Sequence, residues 1–513
     1  MEHDTMYAAV KSVGLFGLNG YTVDVEADSS MGLPAFDIVG LPDAAVSESR
    51  NRVRSAIKNS GFEFPVSRIT VNLAPADKRK SGPVYDLPIL LAILAASRQI
   101  KNLPDDSAFA GELSLDGEVR PVNGILSMAL AARNEGIKRL YVPAENAPEA
   151  AVVEDIEVYG IRSVKNLAAV LKGEETVFPV EAMPFKYSPE NDLNDFSDVK
   201  GQAAARRAAE IAAAGGHNLL MIGPPGSGKS MIAKRIPSIL PPLSYEESVD
   251  TTQIYSAAGL MGNRDSLISV RPFRSPHHTI SSRALTGGGS LPHPGEISLA
   301  HNGVLFLDEF PEFSRETMEV LRQPLEDGVV SISRVFGTVS YPCNVMLVAA
   351  MNPCRCGNFG STVKKCTCSP GDVERYLGKI SGPLLDRIDL HVEVSEVRYD
   401  ELKDTVRSED SASIRKRVVA AREVQSIRYS NDHFKTNADI PSSRIKEYCD
   451  LTDGAEKILA KAFENLGLSA RAYDKVLRVS RTIADLAGSV QIDAPHVAEA
   501  VQYRTLDKKY WHR

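Results

Sequence analysis

A chain of 513 residues, 43% of them hydrophobic, is long enough for about three domains with cores of their own and is neither a disordered nor a fibrous sequence. Its formal net charge of −7 excludes a protein that coats nucleic acid over its whole surface, while leaving room for a local basic channel. The start Met1-Glu2-His3-Asp4-Thr5-Met6 has neither the basic residues nor the apolar run of a signal peptide, and no stretch approaches the roughly 20 apolar residues that span a bilayer, so a cytoplasmic protein without a membrane partner is expected.

Residues 1–175 alternate strand-like runs, such as 22–27 and 68–73, with stretches 44–60, 87–97 and 126–134 that carry apolar residues at helical spacing; a further strand is expected at 139–142. This pattern predicts a mixed α+β domain. Pro179, Pro184 and Pro189 then punctuate a polar stretch, which sets a linker at 176–195. From 196 to 398 strands and helices alternate, as in a parallel sheet covered on both faces. Residues 399–513 turn helical: Ile414, Val418, Ala421 and Val424 are expected on one buried face, and 476–486 and 496–503 repeat the spacing. The overall class is α/β.

The run Gly223-Pro224-Pro225-Gly226-Ser227-Gly228-Lys229-Ser230 follows the apolar run 219–222 and precedes a helical stretch. A glycine loop between strand and helix aims backbone N–H groups at the phosphates of a nucleotide; Lys229 would neutralise phosphate charge, and the Ser230 hydroxyl would ligate Mg²⁺. A second apolar run, 304–307, ends in Asp308 and Glu309. Asp308 would hold Mg²⁺, directly or through water, and Glu309 would polarise the attacking water, so ATP and Mg²⁺ are the expected ligands and hydrolysis the expected chemistry. A third run, 345–351, ends at Asn352. Its amide could bond the γ-phosphate or the lytic water, or it could be a turn residue ahead of Pro353.

Together these features resemble the AAA+ ATPases, and Asp198-Val199-Lys200-Gly201-Gln202 resembles the segment that enters that fold. More closely, the chain is similar to the magnesium-chelatase-like ComM (YifB) family over nearly its full length. The similarity rests on Arg271-Pro272-Phe273-Arg274-Ser275-Pro276-His277-His278-Thr279, on Pro294-Gly295-Glu296-Ile297-Ser298-Leu299-Ala300-His301, on Met351-Asn352-Pro353-Cys354 and on Ser381-Gly382-Pro383-Leu384-Leu385-Asp386-Arg387-Ile388-Asp389. It implies a homo-hexameric ring in which Arg387 is an arginine finger for a neighbour's γ-phosphate and Arg471 is the sensor arginine of a helical lid at 399–513. It also implies a motor on single-stranded or branched DNA, a helicase or branch-migration activity in recombination or natural transformation. Two rivals are open: a magnesium-chelatase-type motor subunit, from which a Lon-like domain would be missing, and a protein-remodelling ATPase.

The segment Gly111-Glu112-Leu113-Ser114-Leu115-Asp116-Gly117-Glu118-Val119-Arg120-Pro121-Val122 resembles the proteolytic domain of Lon. A serine–lysine dyad would require serine at Val84 and lysine within Leu126-Ser127-Met128, so no peptidase is expected.

Four of the six cysteines, Cys354, Cys356, Cys366 and Cys368, form two C-x-C pairs around a nine-residue polar loop. They could hold one tetrahedral ion, structural Zn²⁺, or stand as reduced free thiols. Arg271, Arg274 and His277 lie in a long excursion between the two Mg²⁺-binding motifs, and Arg334 and Phe336 lie in an expected β-hairpin with Phe336-Gly337 at its turn. In the related clade, insertions at these two places face a central pore, where a charge and a stacking ring suit single strands; solvated loop residues are the other reading.

Overall fold

The computed structural model describes residues 6–101, 103–183, 185, 194–262, 266–289, 292–334, 337–361, 364–396 and 408–511. The N-terminal part contributes β1 (Met6–Phe16), β2 (Asn19–Ser30), β3 (Ala35–Val39), β4 (Arg68–Ala74), β5 (Ser107–Phe109), β6 (Glu112–Leu113), β7 (Val119–Arg120), β8 (Arg139–Pro143) and β9 (Glu157–Ile161). Seven of these form one sheet in the order β3-β4-β2-β1-β5-β8-β9, and β6 with β7 makes a separate ribbon. The pairs β1–β2 and β2–β4 are antiparallel; the other neighbours are parallel. Val10, Val13, Val23, Val25 and Ala27 point from β1 and β2 into the core. The helix Asp86–Ala96 is apolar on nearly every side, as befits a helix enclosed by sheet and neighbouring helices. Its one charged group, Asp86, is buried but satisfied by Arg52 Nε at 2.6 Å, by Leu113 N–H at 3.2 Å and by the Ser49 hydroxyl.

The expected linker shows no helix or strand over 176–183, while Pro184 and Pro189 lie outside the described residues. Order returns at Asp195, whose carboxylate accepts from Ser197 N–H at 2.7 Å and from Ser411 N–H at 3.2 Å.

The second part holds β10 (Leu219–Ile222), β11 (Phe273–Arg274), β12 (Gly287–Gly288), β13 (His293–Pro294), β14 (Val304–Leu307), β15 (Val329–Arg334), β16 (Gly337–Pro342), β17 (Met346–Met351) and β18 (Leu390–Glu393). Five of them make an all-parallel sheet in the order β11-β14-β17-β10-β18. Every residue of β10, β14 and β17 is buried, the signature of strands covered on both faces. The ribbons β12–β13 and β15–β16 stand outside that sheet. Arg334 pairs with Gly337 at the outer end of the β15–β16 ribbon, and Phe336, expected at its turn, lies outside the described residues.

The helices Ser411–Arg428, Asp453–Leu466, Ala470–Leu486 and Ala494–Gln502 share one buried core with Ala203–Gly215 and Lys229–Ile239 beside the parallel sheet. On Ser411–Arg428 the buried stripe is Ile414, Val418, Ala421 and Gln425, not Val424, which is 44% exposed. Eleven residues return to the same face after about three turns of ~3.6 residues, and ten do not. Gln425 is tolerated there because its Nε2 donates to Ala214 O at 2.9 Å and its Oε1 accepts from Asn437 N–H at 3.1 Å.

The N-terminal and second parts meet closely. Gly17, at φ +67, lies so near Val339 that an added Cβ would sit 2.2 Å from Val339 Cγ1, and Gly124 N–H donates to Ser256 O at 3.1 Å.

Candidate nucleotide site and its surroundings

The loop from Gly223 to Gly228 leaves the end of β10 and turns directly into the helix Lys229–Ile239. Gly223 must be glycine: a Cβ there would lie 2.1 Å from Val394 O. Gly226 and Gly228 adopt φ +78 and +93, the left-handed region that side chains disfavour, and so leave the loop's N–H groups free of side-chain cover. Gln202 Nε2 steadies the loop by donating to Ser227 O at 3.2 Å. Lys229 Nζ donates to the carbonyls of Gly223 and Pro224 at 2.8 Å and to Asn352 Oδ1 at 3.3 Å. Burial pushes its ammonium below the usual lysine range, and the Asp308 carboxylate partly offsets this.

Ser230 Oγ donates to Asp308 Oδ2 at 2.6 Å, while Asp308 Oδ1 accepts from Glu309 N–H at 2.9 Å. Pro225, Gly226, Gly228, Lys229, Ser230, Asp308, Glu309 and Asn352 line one cleft of about 380 Å³. The structure therefore brings together the residues expected from all three strand ends. A hydroxyl and a carboxylate held oxygen to oxygen are hard donors suited to Mg²⁺, so the residues present fit that ion.

Arg387 and Arg471 are not at this cleft. They line a second one, about 580 Å³, with Glu326, Asp386, Asp474, Lys475 and Arg478. Arg387 Nη2 pairs with Glu326, its Nη1 donates to Pro383 O at 2.9 Å, and its buried Nε has no hydrogen-bond partner among the described residues. Arg471, 69% exposed, lies 3.6 Å from Asp386.

The four cysteines converge: all four sulfurs lie within 4.8 Å of one another. Cys354 Sγ is 3.4 Å from Cys356 Sγ and 3.7 Å from Cys366 Sγ, and the last two are 3.6 Å apart. Four sulfurs placed tetrahedrally at ~2.3 Å from one ion stand about 3.8 Å apart, so the donor set fits Zn²⁺. Backbone N–H groups of Thr367 and Asn358 hold the Cys356 thiol down at about 5, whereas the thiols of Cys354, Cys366 and Cys368 are raised, so one of the four favours the thiolate form that metals bind. The same loop touches the phosphate loop, since a Cβ on Gly357 would lie 2.4 Å from Pro225 Cδ.

Two of the expected polymer contacts have other partners. Arg271 donates to Pro241 O at 2.6 Å, to Asn302 O at 2.7 Å and to Glu247 at 2.9 Å. Arg274 forms a two-point ion pair with Glu296, both distances 2.7 Å. Guanidiniums held in this way brace the sheet edge and are not free for phosphates. His277 is exposed, and its Nδ1 meets Thr279 Oγ1 at 2.9 Å and accepts from Thr279 N–H at 3.4 Å. Arg334 is exposed and donates to Gly289 O at 3.3 Å, tying the hairpin to the β12–β13 excursion.

Sequence reasoning did not single out His278 beside Glu309 or Glu326 beside Arg387 as pairs. The first was findable. β11 and β14 run parallel with Arg274 opposite Leu305, so His278 and Glu309, each four residues on, emerge side by side.

In the N-terminal part, Ser81, Val84 and Met128 line a cleft of about 340 Å³ that has no lysine among its lining residues. No serine–lysine pair is assembled there.

Comparison with known proteins agrees with this architecture. Family models described as "Magnesium chelatase, subunit ChlI", "Subunit ChlI of Mg-chelatase" and "Magnesium chelatase, subunit ChlI C-terminal" match residues 195–402, 25–146 and 408–504. The fold and these matches define a magnesium-chelatase-like AAA+ protein. The chain is 44% identical over 508 residues to Competence protein ComM of Haemophilus influenzae, covering 97% of each chain. It is 44% identical over 504 residues to YifB of Escherichia coli, covering 97% of this chain and 96% of that one. A Lon protease of Mycolicibacterium smegmatis is 23% identical over 181 residues, 33% of this chain and 23% of that one, in keeping with a Lon-like N-terminal part. The chain belongs to the ComM/YifB family of magnesium-chelatase-like AAA+ proteins. Among the described residues no helix is long and apolar enough to cross a membrane.

Proposed function

We propose that this protein is an ATP-hydrolysing subunit of a homo-hexameric ring that moves on DNA, as a helicase or branch-migration motor in recombination or natural transformation. The observation that carries this reading is the division of the expected catalytic set between two clefts of one chain: Lys229, Ser230, Asp308, Glu309 and Asn352 in one, Arg387 and Arg471 in the other. A site completed by a neighbour's arginines needs a ring of subunits.

In this reading ATP is the substrate, bound with its phosphates along Gly223 to Ser230. Mg²⁺, held by Ser230 and Asp308, would neutralise developing phosphate charge. Lys229 would leave its carbonyl partners for phosphate oxygens, Asn352 would contact the γ-phosphate, and Glu309 would take the proton of the attacking water. Arg387 and Arg471 of the next subunit would stabilise the charge spread over the transferred group. The Cys354, Cys356, Cys366 and Cys368 set would hold one structural Zn²⁺.

DNA as the polymer is supported by the competence protein among the relatives and by the exposed Arg334 and His277. The rival chelatase motor gains from the descriptions of the family models, one of which matches 25–146, so the N-terminal domain does not separate the two readings. Forked and branched DNA should stimulate hydrolysis and be unwound, and Glu309→Gln should trap an ATP-loaded ring on DNA. Absence of all three effects, or stimulation instead by a porphyrin-binding partner or an unfolded polypeptide, overturns the DNA reading.

A further inference from the structure

We propose that the outer face of the helix Ala44–Asn59 is a further nucleic-acid contact, which takes the phosphate backbone of DNA on the N-terminal part of the chain; this rests on the reading of DNA as the polymer. Arg50, Arg54 and Lys58 are all exposed and follow one another at steps of four, so they form one row along that face. Asn51 and Ser55 flank the row. From first to last cation the row is ~12 Å long at ~1.5 Å per residue, the axial rise of three to four base pairs. Cations beside an amide and a hydroxyl are the side chains that meet phosphate oxygens without reading sequence.

The fold sorts the basic residues of this region. Arg52 turns inward, its Nε donating to Asp86 Oδ2 at 2.6 Å and its Nη2 to Asp86 Oδ1 at 3.1 Å. Lys80 is fully buried, with its Nζ donating to Pro75 O. Neither can meet a ligand. Among the described residues none of the three cations in the row is paired with a carboxylate: Arg50 Nε donates to Ser47 O at 3.2 Å, and the Arg54 guanidinium stands over the Phe64 ring at 4.8 Å. Contact with a ring steadies a guanidinium without using up its N–H donors. Glu48, the one acidic side chain of the helix, is drawn to Arg52 at 3.9 Å.

This pattern favours an anionic polymer over solvent or lipid. Like charges four residues apart on a helix repel, whereas a solvated face gains from acids at that spacing. The repulsion among Arg50, Arg54 and Lys58 is therefore left for something outside the chain to relieve, and a line of phosphates does so. A helix that lies in a membrane surface needs an apolar face turned to the lipid. Here Val46, Val53, Ala56 and Ile57 turn into the domain core instead. A further cation stands near the helix start: Asp43 N–H donates to Lys80 O at 3.0 Å and Lys80 N–H to Leu41 O at 3.2 Å, which sets the loop of exposed Lys78 beside the first turn. In a chain of net charge −7 such a row is a local attraction for phosphates.

The experiment measures binding of full-length protein to a labelled duplex and a labelled single strand between roughly 50 and 200 mM salt. Arg50→Ala, Arg54→Ala and Lys58→Ala combined should weaken binding about tenfold for every DNA sequence tried, and should lower the slope of log affinity against log salt by about two to three. The melting temperature should be no lower than the parent's, since a repulsion is removed. Arg50→Lys with Arg54→Lys should keep the parent's slope, because a phosphate responds to the charge. If the alanine variant melts early, Lys58→Ala alone decides, with an expected loss of about one in slope. Parent affinity and slope in these variants overturn the contact. So does a variant that keeps its DNA affinity but no longer binds vesicles of phosphatidylserine in phosphatidylcholine, since the row then serves lipid. A parent protein that binds no DNA at all removes the DNA reading itself, and the row's role with it, which separates that failure from the loss of this contact alone.

Discussion

Asn218 ties the start of the phosphate-loop strand to the arginine segment: its Nδ2 donates to the carbonyl of Arg387 at 2.8 Å, and its Oδ1 accepts from Leu347 N–H at 2.7 Å. One half-buried amide thus spans β10, β17 and the segment that carries Arg387. Asn218→Ala leaves both backbone groups without this partner, and about 1–3 kcal/mol of stability should be lost. Urea unfolding of parent and variant measures it; an unchanged midpoint would mean that water replaces the amide at no cost.

Arg387→Ala should lower hydrolysis by about 10³-fold or more while ATP binding is retained, because an arginine supplied to transferred phosphate acts on the transition state. If the arginine works on a neighbour's ATP, mixing Arg387→Ala subunits with Glu309→Gln subunits should recover activity that neither variant has alone. No recovery at any mixing ratio would place Arg387 in the service of its own chain's site.

Purified protein should contain about one zinc ion per chain, and Cys356→Ser with Cys366→Ser should contain none. Because Gly357 packs on Pro225, loss of the ion should also weaken nucleotide binding. A metal content near zero after zinc-replete expression would sink the assignment, and a metal-free variant with the parent's ATP affinity would sink the coupling.

His301 should make the fold sensitive to mild acid. Burial holds its imidazole down at about 4, and its Nδ1 accepts from Asn344 N–H at 3.0 Å, which only the neutral ring can do. The unfolded chain binds a proton on this residue near the ordinary imidazole value of 6.5. Between those values the unfolded state carries more protons, so stability is full above about 6.5 and falls as the pH drops toward about 4, by at most ~3 kcal/mol. Urea midpoints at pH 7, 5.5 and 4.5 test this against His301→Gln, in which the slope should flatten.

The nucleotide cleft was legible because its parts are contiguous: Gly223 to Ser230 announce their own backbone geometry, and Asp308 and Asn352 sit at the ends of apolar runs. The α/β class was legible for the same reason, in strands such as β10 and β17 that are apolar throughout. Partners far apart in sequence were not. Arg271 and Arg274 looked like free cations in a flexible excursion, yet Glu247 and Glu296, more than twenty residues away on either side, neutralise them. Gln425 illustrates a different blindness, since a polar side chain inside a core is acceptable only when acceptors and donors from other segments, here Ala214 and Asn437, meet it. The cysteine spacing permitted a metal, but only the folded loop shows whether four sulfurs can share one centre.

The contact of Gly17 with Val339 gives the N-terminal part a mechanical role. The tip between β1 and β2 abuts the hairpin strand β16, and Phe16 and Leu18 pack into the core beneath it. The hairpin is consequently braced toward its outer end: β16 meets Gly17 at Val339 and Phe16 at Gly337, the residue paired with Arg334. The Lon-like N-terminal part then serves as a foundation for β16, holding that strand against the core it shares with the parallel sheet.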